Sequence, residues 1–219
     1  SFLFNWPSTG GGIIHTVELA QFLARAGYEV RHFYAKYPQW GTGRVDAPPP
    51  FASEPLEFDA STWDTASIQD RFRQAVDVFK PDCVIITDSW NFKPLLAEAV
   101  RGYPYFLRLQ AMECICPLNN VRLLPEPGGN FRQCLKNQLE DPEGCAQCVR
   151  ERGHLSGSLH QAERQLSGVG TPEYPERLQQ AFRDAEAVLV VNALTEALVA
   201  PFTKSRRVVT AGMDLARFP

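Results

Sequence analysis

Apolar residues recur along this chain at the spacings that distinguish helices from strands. Leu19, Phe22, Leu23 and Ala26 fall at i, i+3, i+4 and i+7, which predicts an amphipathic helix that Gly27 can end. A second stripe with helical spacing consists of Ile68, Phe72, Ala75, Val76 and Phe79. Short uninterrupted apolar runs lie between such stripes, as expected for strands that are buried on both faces of a parallel sheet.

Predicted strands and helices alternate along most of the chain. The strands are expected at residues 2–4, 30–34, 83–87, 105–109, 187–191 and 207–210. Further helices are expected at residues 91–100 and 195–202, and from a start at Thr171-Pro172-Glu173. The pattern predicts an α/β fold with a doubly wound parallel sheet. An irregular, cysteine-containing insert at about residues 113–152 interrupts it.

Composition restricts the classes of function. The 219 residues are 44% apolar, enough for one large core, and the net charge of −3 predicts no nucleic-acid partner. The longest apolar runs are far too short to span a bilayer and no secretory signal opens the chain, so we predict a cytoplasmic protein. The first strand begins almost at Ser1 and the last ends just before Pro219. We therefore expect the sequence to be a fragment of a longer chain.

A glycine loop, Gly10-Gly11-Gly12, joins the first predicted strand to the first predicted helix. Glycines allow a ligand to approach the backbone closely. The helix N-terminus then offers unpaired N–H groups and the positive end of the helix dipole. The pattern is typical of phosphate binding, and its alternative is an ordinary turn.

Two other predicted strands end in polar residues. Asp88 follows the apolar run 83–87, and Gln110 follows Arg108-Leu109 at the end of the next strand. Ligands of open parallel sheets bind outside the carboxyl ends of the strands, where the strand order reverses. We therefore expect Asp88, Gln110 and the glycine loop to converge on one crevice, with a helix cap as the alternative role of Asp88. A dinucleotide oxidoreductase is disfavoured, because the glycines do not read G-x-G-x-x-G and the second strand ends without an acid.

Several short segments in a fixed order resemble motifs of one enzyme family. Residues 18–30 are very like "LAxxLxxxGHEV", residues 184–192 match "aDxvixxS", and residues 208–219 look like "vixNGvDxxxFxP"; residues 7–12 and 80–84 also fit. The family is the retaining, nucleotide-sugar-dependent glycosyltransferases of family 4, which have two facing Rossmann-like domains in the B-type fold. The resemblance extends over nearly the whole chain.

The resemblance implies that residues 1–219 are the N-terminal, acceptor-side Rossmann-like domain of such an enzyme. The motif at residues 212–218 lies where the two domains of these enzymes meet. The implied C-terminal domain, which holds most of the nucleotide-sugar and carries an E-x7-E motif, is absent from the sequence. The implied reaction transfers a sugar from a nucleotide-sugar donor to a glycan, lipid or small-molecule acceptor with retention. The isolated half is expected to bind a donor poorly and to catalyse nothing.

The chemistry of such a transfer requires no cofactor. Cleavage of the sugar–phosphate bond leaves charge on the diphosphate, so Gly10, Gly11 and Gly12 are expected near the diphosphate and the reacting sugar. Relatives often touch the inner face of a membrane through basic patches. Peripheral contact of that kind is implied here too, although no basic run is visible. The alternative function is a non-catalytic sugar-binding or scaffold protein with the same fold.

One position departs from the family pattern. Relatives with a cysteine insert read "HDYWxxCP" after the strand, with the His beside the donor sugar, whereas residues 110–117 read QAMECICP. Gln110 can exchange hydrogen bonds with a sugar hydroxyl but cannot take a proton. This substitution keeps the non-catalytic alternative open and leaves no catalytic residue assigned. Glu113 is the nearest other carboxylate and is expected to be a solvated loop charge.

Five of the six cysteines lie in the insert, whereas Cys83 is expected to pack in the core. The predicted ligands of a structural zinc ion are Cys116, Cys134, Cys145 and Cys148. Cys114 or His154 can replace one of them. Disulfides, an iron–sulfur cluster and free thiols are the alternatives, and a reducing cytosol favours metal over disulfides. A metal would explain how a polar insert holds its shape without a core of its own.

The histidines add little. His15 lies in the first turn after the glycine loop and faces either the crevice or water. His32 is expected at a surface or a strand edge, and His160 has no predicted partner.

Overall fold

The computed structural model describes residues 1–8 and 10–210, apart from the side chains of Pro125 and Pro127. The strands are β1 (His32–Lys36), β2 (Ser53–Glu57), β3 (Val84–Ile86), β4 (Tyr105–Leu109), β5 (Leu123–Pro125), β6 (Phe131–Gln133), β7 (Ala187–Val190) and β8 (Arg206–Val208). The α-helices are α1 (Gly11–Arg25), α2 (Thr65–Phe79), α3 (Lys93–Ala99), α4 (Pro142–Arg152), α5 (Ser158–Ser167), α6 (Tyr174–Asp184) and α7 (Ala193–Val199). Thr9 and the motif at residues 212–218 lie outside the described residues.

The strands within the alternating part of the chain pair in parallel. β1 pairs with β2, and a four-stranded sheet has the order β3-β4-β7-β8. β5 and β6 pair antiparallel within the insert. Parallel neighbours need crossover connections, and helices provide most of them. The protein is therefore a mixed α/β protein with parallel sheets, as the alternating pattern predicts.

The first predicted strand lies between the two parallel sheets without forming a regular strand. The Ser1 nitrogen donates to Phe33 O at 2.9 Å, and the Leu3 N–H donates to Asp88 O at 2.8 Å. Phe2 and Phe4 are almost completely buried. The apolar pattern correctly predicts burial here. The prediction of a strand at residues 2–4 is wrong, because these isolated hydrogen bonds do not form a ladder.

Helices cover both faces of β1. Tyr34 belongs to a small cluster with Phe4 and with Val17 of α1. Ala35 belongs to the main core, which includes Ile68 of α2 and side chains of α3 and α6. Because neighbouring residues of a strand point to opposite faces, α1 and α2 pack on opposite sides of the sheet.

Some boundaries differ from the predictions. The helix expected at 91–100 begins as a 3-10 turn, Trp90–Phe92, before α3, and α6 begins at Tyr174, after the expected start. β2 was not predicted, since SEPLE has no uninterrupted apolar run. Only Ile86 is buried in β3, so the expectation of a strand buried on both faces is wrong. Cys83 precedes β3 and is exposed, which corrects its expected place in the core.

The insert is more regular than expected. It contains the β5–β6 hairpin and α4, whose first turn is capped by Asp141 through a 3.0 Å hydrogen bond from the Gly144 N–H. Leu139 anchors the insert in the main core at 1% exposure. Within residues 1–8 and 10–210, no helix combines the length and the apolar character needed to cross a membrane.

Candidate functional site

The predicted glycine loop is shorter than expected, because Gly11 and Gly12 already belong to the first turn of α1. Gly10 is the N-cap residue, and its N–H donates to Ser8 Oγ at 3.0 Å. No side chain caps the helix in the described part of the loop, and its first turn carries no acidic residue. An uncapped start leaves N–H groups available and presents the positive end of the helix dipole. Because Gly10 and Gly11 are exposed, this end of α1 is accessible from solvent.

Gly12 is closely packed against two strand ends. A Cβ atom at Gly12 would collide with the side-chain oxygen of Gln110 and would lie 3.0 Å from Asp88 Oδ1. A Cβ atom at Gly11 would meet nothing within 4 Å. The structure therefore brings the glycine loop together with the residues that follow β3 and β4, as the sequence predicts. The lack of a side chain matters for packing at Gly12 and not at Gly11.

The side-chain amide of Gln110 links three elements. Its Nε2 donates to Gly12 O at 2.9 Å, to Thr16 Oγ1 at 3.0 Å and to Thr87 Oγ1 at 2.9 Å. These three acceptors exceed the two hydrogens of the amide, so its donor capacity is fully used inside the protein. Gln110 is half-buried, and its side chain lies between α1 and the carboxyl ends of the strands.

Asp88 is buried close to Gln110, next to Gly12. It is 8% exposed, has a left-handed φ of 46°, and accepts a short hydrogen bond from the Thr16 hydroxyl. Burial raises the pKa of Asp88, while the Thr16 hydrogen bond and nearby positive charge, including Lys93, oppose this shift. The N-cap of the following 3-10 turn is Ser89, and no side chain caps it. The alternative role of Asp88 as a helix cap is therefore wrong.

Glu113 is not the solvated charge that we expected. It is 4% exposed, accepts from the N–H groups of Gln110 at 2.9 Å and Ala111 at 2.8 Å, and pairs with Lys93 Nζ at 3.2 Å. Lys93 is completely buried. The carboxylate turns back over the end of β4, where two backbone donors and an ammonium compensate its lost hydration. Glu113 therefore fixes the turn that carries Gln110.

Arg108 of β4 contacts the backbone of His15 in α1. Arg108 is 4% exposed, and its Nη1 donates to His15 O at 3.3 Å. Burial, followed by the positive charge of Arg108, lowers the pKa of His15. The imidazole is therefore mainly neutral at pH 7, when it can both donate and accept a hydrogen bond.

A further buried carboxyl, Glu163, was not predicted. Asn91 Nδ2 donates to Glu163 Oε2 at 3.2 Å, while Glu163 Oε1 and Asn91 Oδ1 are buried without a partner among the described residues. Burial raises the pKa of Glu163 to about 7. His160, on the same helix, stacks on the Trp90 ring with centroids 4.2 Å apart. No signal in the sequence indicated this stacking partner of His160.

His32 also differs from its expected place. It is 9% exposed, its Nδ1 lies 2.7 Å from Ser53 Oγ, and the Phe4 and Phe51 rings pack against it. It is buried rather than at a surface because α1 and the segment before β2 cover this face of β1.

Three of the four predicted zinc ligands share one satellite cluster of the insert. Cys116 and Cys134 are buried with Leu118 and Leu124, and Cys148 packs against them. The thiols of Cys116, Cys134 and Cys148 act electrostatically on that of Cys145, whose pKa is raised to about 12 mainly by burial. The described cysteines form no disulfide.

The two alternative ligands lie elsewhere. Cys114 belongs to the main core and donates to Trp90 O at 3.3 Å, whereas His154 is exposed. In the part of the chain that the structure describes, no three His, Cys, Asp or Glu side chains are already arranged as a metal-ligand set.

Two open depressions lie away from the glycine loop. One, of about 370 Å³, is lined by Pro94, Tyr105 and Arg177; the other, of about 420 Å³, is lined by Arg31, Phe33 and Arg71. Tyr105 begins β4, whereas Gln110 follows its end, so the first depression is at the opposite edge of the sheet. Neither depression contains a predicted site residue.

Comparison with known proteins finds no family model that matches the chain and no curated protein with a significant match to its sequence.

Proposed function

We propose that this chain is the acceptor-side, Rossmann-like domain of a retaining glycosyltransferase that uses a nucleotide-sugar donor. The observation that carries the proposal is the meeting of Gly12, Asp88 and Gln110 at the carboxyl ends of neighbouring strands, beside the uncapped start of α1. A nucleotide-sugar presents a diphosphate and sugar hydroxyls. An accessible helix N-terminus beside buried polar groups suits that combination of ligand groups.

The strand arrangement supports a Rossmann-like interpretation. If residues 1–4 are counted as a central segment, the order across both sheets becomes β2, β1, residues 1–4, β3, β4, β7, β8. The direction of strand addition then reverses between residues 1–4 and β3. In open parallel sheets, ligands bind in the crevice at such a reversal. The glycine loop and Asp88 are the two segments that leave this position.

The chain's own groups suit particular tasks in the proposed reaction. The N–H groups at the start of α1 can stabilise the charge that develops on the departing diphosphate. A neutral His15 can exchange a hydrogen bond with a sugar hydroxyl. Asp88 and Gln110 fix the position of α1 relative to the strand ends, because the Asp88 side chain bonds to Thr16 and the Gln110 side chain bonds to Gly12. Most donor contacts belong to the second domain in this proposal.

The proposal is tested by sugar transfer with the full-length gene product. Uridine, guanosine and adenosine diphosphate sugars are supplied with glycan and lipid acceptors, and product is detected by mass spectrometry. We expect turnover with one donor class and retained anomeric configuration by NMR. Gly12→Val should lower kcat/KM at least about tenfold, because it displaces the α1 start. Gly157→Ala, at an open position far along the chain, is the control.

One observation favours the second candidate, a non-catalytic sugar-binding protein. The Gln110 amide donates only to protein groups and cannot take up a proton. This candidate predicts saturable binding of a glycan or nucleotide-sugar without turnover by the full-length protein. Absence of both binding and transfer across all three donor classes would overturn both candidates.

A further inference from the structure

The insert brings cysteines from three separate segments to one place. Cys116 follows the turn after β4, and Cys134 extends the hairpin, since its N–H donates to Arg122 O at 2.8 Å. Cys145 and Cys148 lie three residues apart on α4 and therefore share one face of the helix. A turn, a hairpin and a helix thus meet at a small cluster whose other members are Leu118, Leu124 and Val149.

Two features near the sulfur atoms stabilise negative charge, although burial opposes it. The backbone N–H groups of Leu118 and Asn119 donate to the Cys116 sulfur. Cys145 lies in the first turn of α4, the end at which the helix dipole stabilises anions, and Cys148 lies about one turn further along. Two independent parts of the cluster therefore supply groups that stabilise thiolates.

Cations surround the same cluster. Arg122 acts electrostatically on Cys116, Arg132 on Cys134 and Cys148, and Lys136 on Cys134 and Cys145. A set of several thiolates needs nearby positive charge when it is buried.

Arg122 has the least compensated charge of these cations. It is 5% exposed; one Nη2 hydrogen bond reaches Lys136 O at 2.8 Å, and Nε is buried without a partner among the described residues. Within the described chain Arg122 forms no ion pair with a carboxylate, whereas Arg132 and Lys136 pair with Glu126 and Asp141. A buried guanidinium without an anion is destabilising. Cys116 interacts electrostatically with Arg122, and as a metal-bound thiolate it would supply that anion.

We propose that Cys116, Cys134, Cys145 and Cys148 bind one structural Zn²⁺ ion, with Arg122 as the buried counter-charge. Four thiols release four protons to the solvent and bind Zn²⁺ as thiolates, which gives a tetrathiolate centre of net charge 2−. Four protein sulfurs close the tetrahedral shell, so the site is structural and leaves no position for a substrate. The ion fixes the hairpin to α4, where the few apolar side chains of the cluster give little packing.

The side chains have to rotate to reach this geometry, because they are not yet set around one point. Cys116 and Cys134 are buried with Leu118 and Leu124, so the metal-free thiols pack as small apolar groups. Rotation about the Cα–Cβ bond moves a sulfur without moving the backbone. Two disulfides would also consume the four thiols. They would be neutral, however, and would leave Arg122 without an anion.

The test is metal analysis of the chain purified under reducing conditions from zinc-supplemented medium. We expect about one zinc ion per chain, released by a mercurial reagent and detected with a chromogenic chelator. Replacement by Co²⁺ should give the visible absorption and the sulfur-to-metal charge-transfer band of a tetrahedral thiolate site. Cys145→Ser and Cys148→Ser should each lose most of the metal. Cys83→Ser, which changes an exposed thiol outside the insert, should retain it.

Loss of folding in the serine variants would not decide the matter, so the unchanged chain provides a second measurement. Removal of zinc by a strong chelator should lower its Tm and increase protease cleavage between residues 116 and 148, and added Zn²⁺ should restore both. Any of three results overturns the proposal. The first is metal-free protein with all thiols reduced, and the second is protein that contains disulfides when cells grown with zinc are processed without a reducing agent. The third is protein that contains iron with labile sulfide in place of zinc. These outcomes do not depend on sugar transfer, so they are separate from the test of the proposed function.

Discussion

The side-chain amide of Gln110 donates a 2.9 Å hydrogen bond to the backbone carbonyl of Gly12, ninety-eight residues earlier in the chain. The bond joins the end of β4 to the first turn of α1. Because Gln110 also reaches Thr16 and Thr87, it couples the glycine loop to both neighbouring strand ends. The position of the α1 start therefore depends on a side chain that follows β4.

Gly12→Ala should destabilise the chain by about 1–3 kcal/mol, because the new methyl group occupies the space of the Gln110 side-chain oxygen. Gly11→Ala is the matched control. Its methyl group meets nothing within 4 Å, and alanine favours the helix, so we expect no loss and a gain of up to about 1 kcal/mol. Urea unfolding followed by circular dichroism measures both.

The same steric argument predicts a rescue. In a Gln110→Ala background the obstacle is absent, so Gly12→Ala should cost less there than in the unchanged chain. A double-mutant cycle measures this coupling, which we expect to be at least about 0.5 kcal/mol. Equal effects of Gly12→Ala in the two backgrounds would show that the contact is not responsible.

Glu113→Ala should destabilise the chain by about 3–5 kcal/mol, because it leaves Lys93 buried without a counter-charge and frees two backbone donors. The loss should be smaller when Lys93→Met is combined with it. The matched control is Glu57→Ala, which breaks the exposed Lys36–Glu57 pair at a similar distance of 3.0 Å and should cost about 0–1 kcal/mol. Chemical unfolding of these three variants and the unchanged chain measures the differences, and similar losses for Glu113→Ala and Glu57→Ala would contradict the buried pair.

The sequence predicts the strand ends well, because they depend on local signals: an apolar run followed by Asp88 predicts where β3 ends. The glycine loop is predicted only in part, since Gly11 and Gly12 already belong to α1. The convergence of Asp88 and Gln110 with the loop follows from the parallel arrangement alone.

The partners that complete the site could not be predicted, since each contact spans a large distance in sequence. Thr16 follows Gly12 by one helical turn and Thr87 precedes Asp88, but nothing local indicates that Gln110 joins them. Glu113 has the sequence context of a surface loop, and only the fold places it against Lys93. Cys83 was misassigned because its run is apolar on average, although β3 begins one residue later.

The sequence predicts the arrangement of the proposed zinc ligands only in part. The spacing of Cys145 and Cys148 is local and is readable from the sequence. The arrival of Cys116 and Cys134 at the same cluster depends on the hairpin and the turn after β4. The burial of Arg122 could not be predicted, because it depends on the folded insert, in which its guanidinium donates to the Lys136 carbonyl.

Glu163→Gln should stabilise the chain above pH 7. Burial raises the pKa of Glu163 to about 7 in the folded protein, above its ordinary value of 4.5, so the folded state holds this proton more tightly than the unfolded chain. Stability should therefore fall as the pH rises from about 4.5 to about 7 and then level off, by an amount on the order of 3 kcal/mol. Glutamine stays neutral and can still pair with the Asn91 amide, so this slope should disappear.

The measurement is the free energy of unfolding by urea at a series of pH values from 4 to 9, an interval chosen to bracket both pKa values. Near pH 4 the unchanged chain and Glu163→Gln should be almost equally stable, and near pH 8 the variant should be the more stable one. Glu186→Gln, which changes an exposed carboxyl, should leave the pH dependence as it is. If Glu163→Gln is less stable than the unchanged chain at pH 8, the carboxylate is stabilised by its surroundings, and burial does not dominate its ionisation.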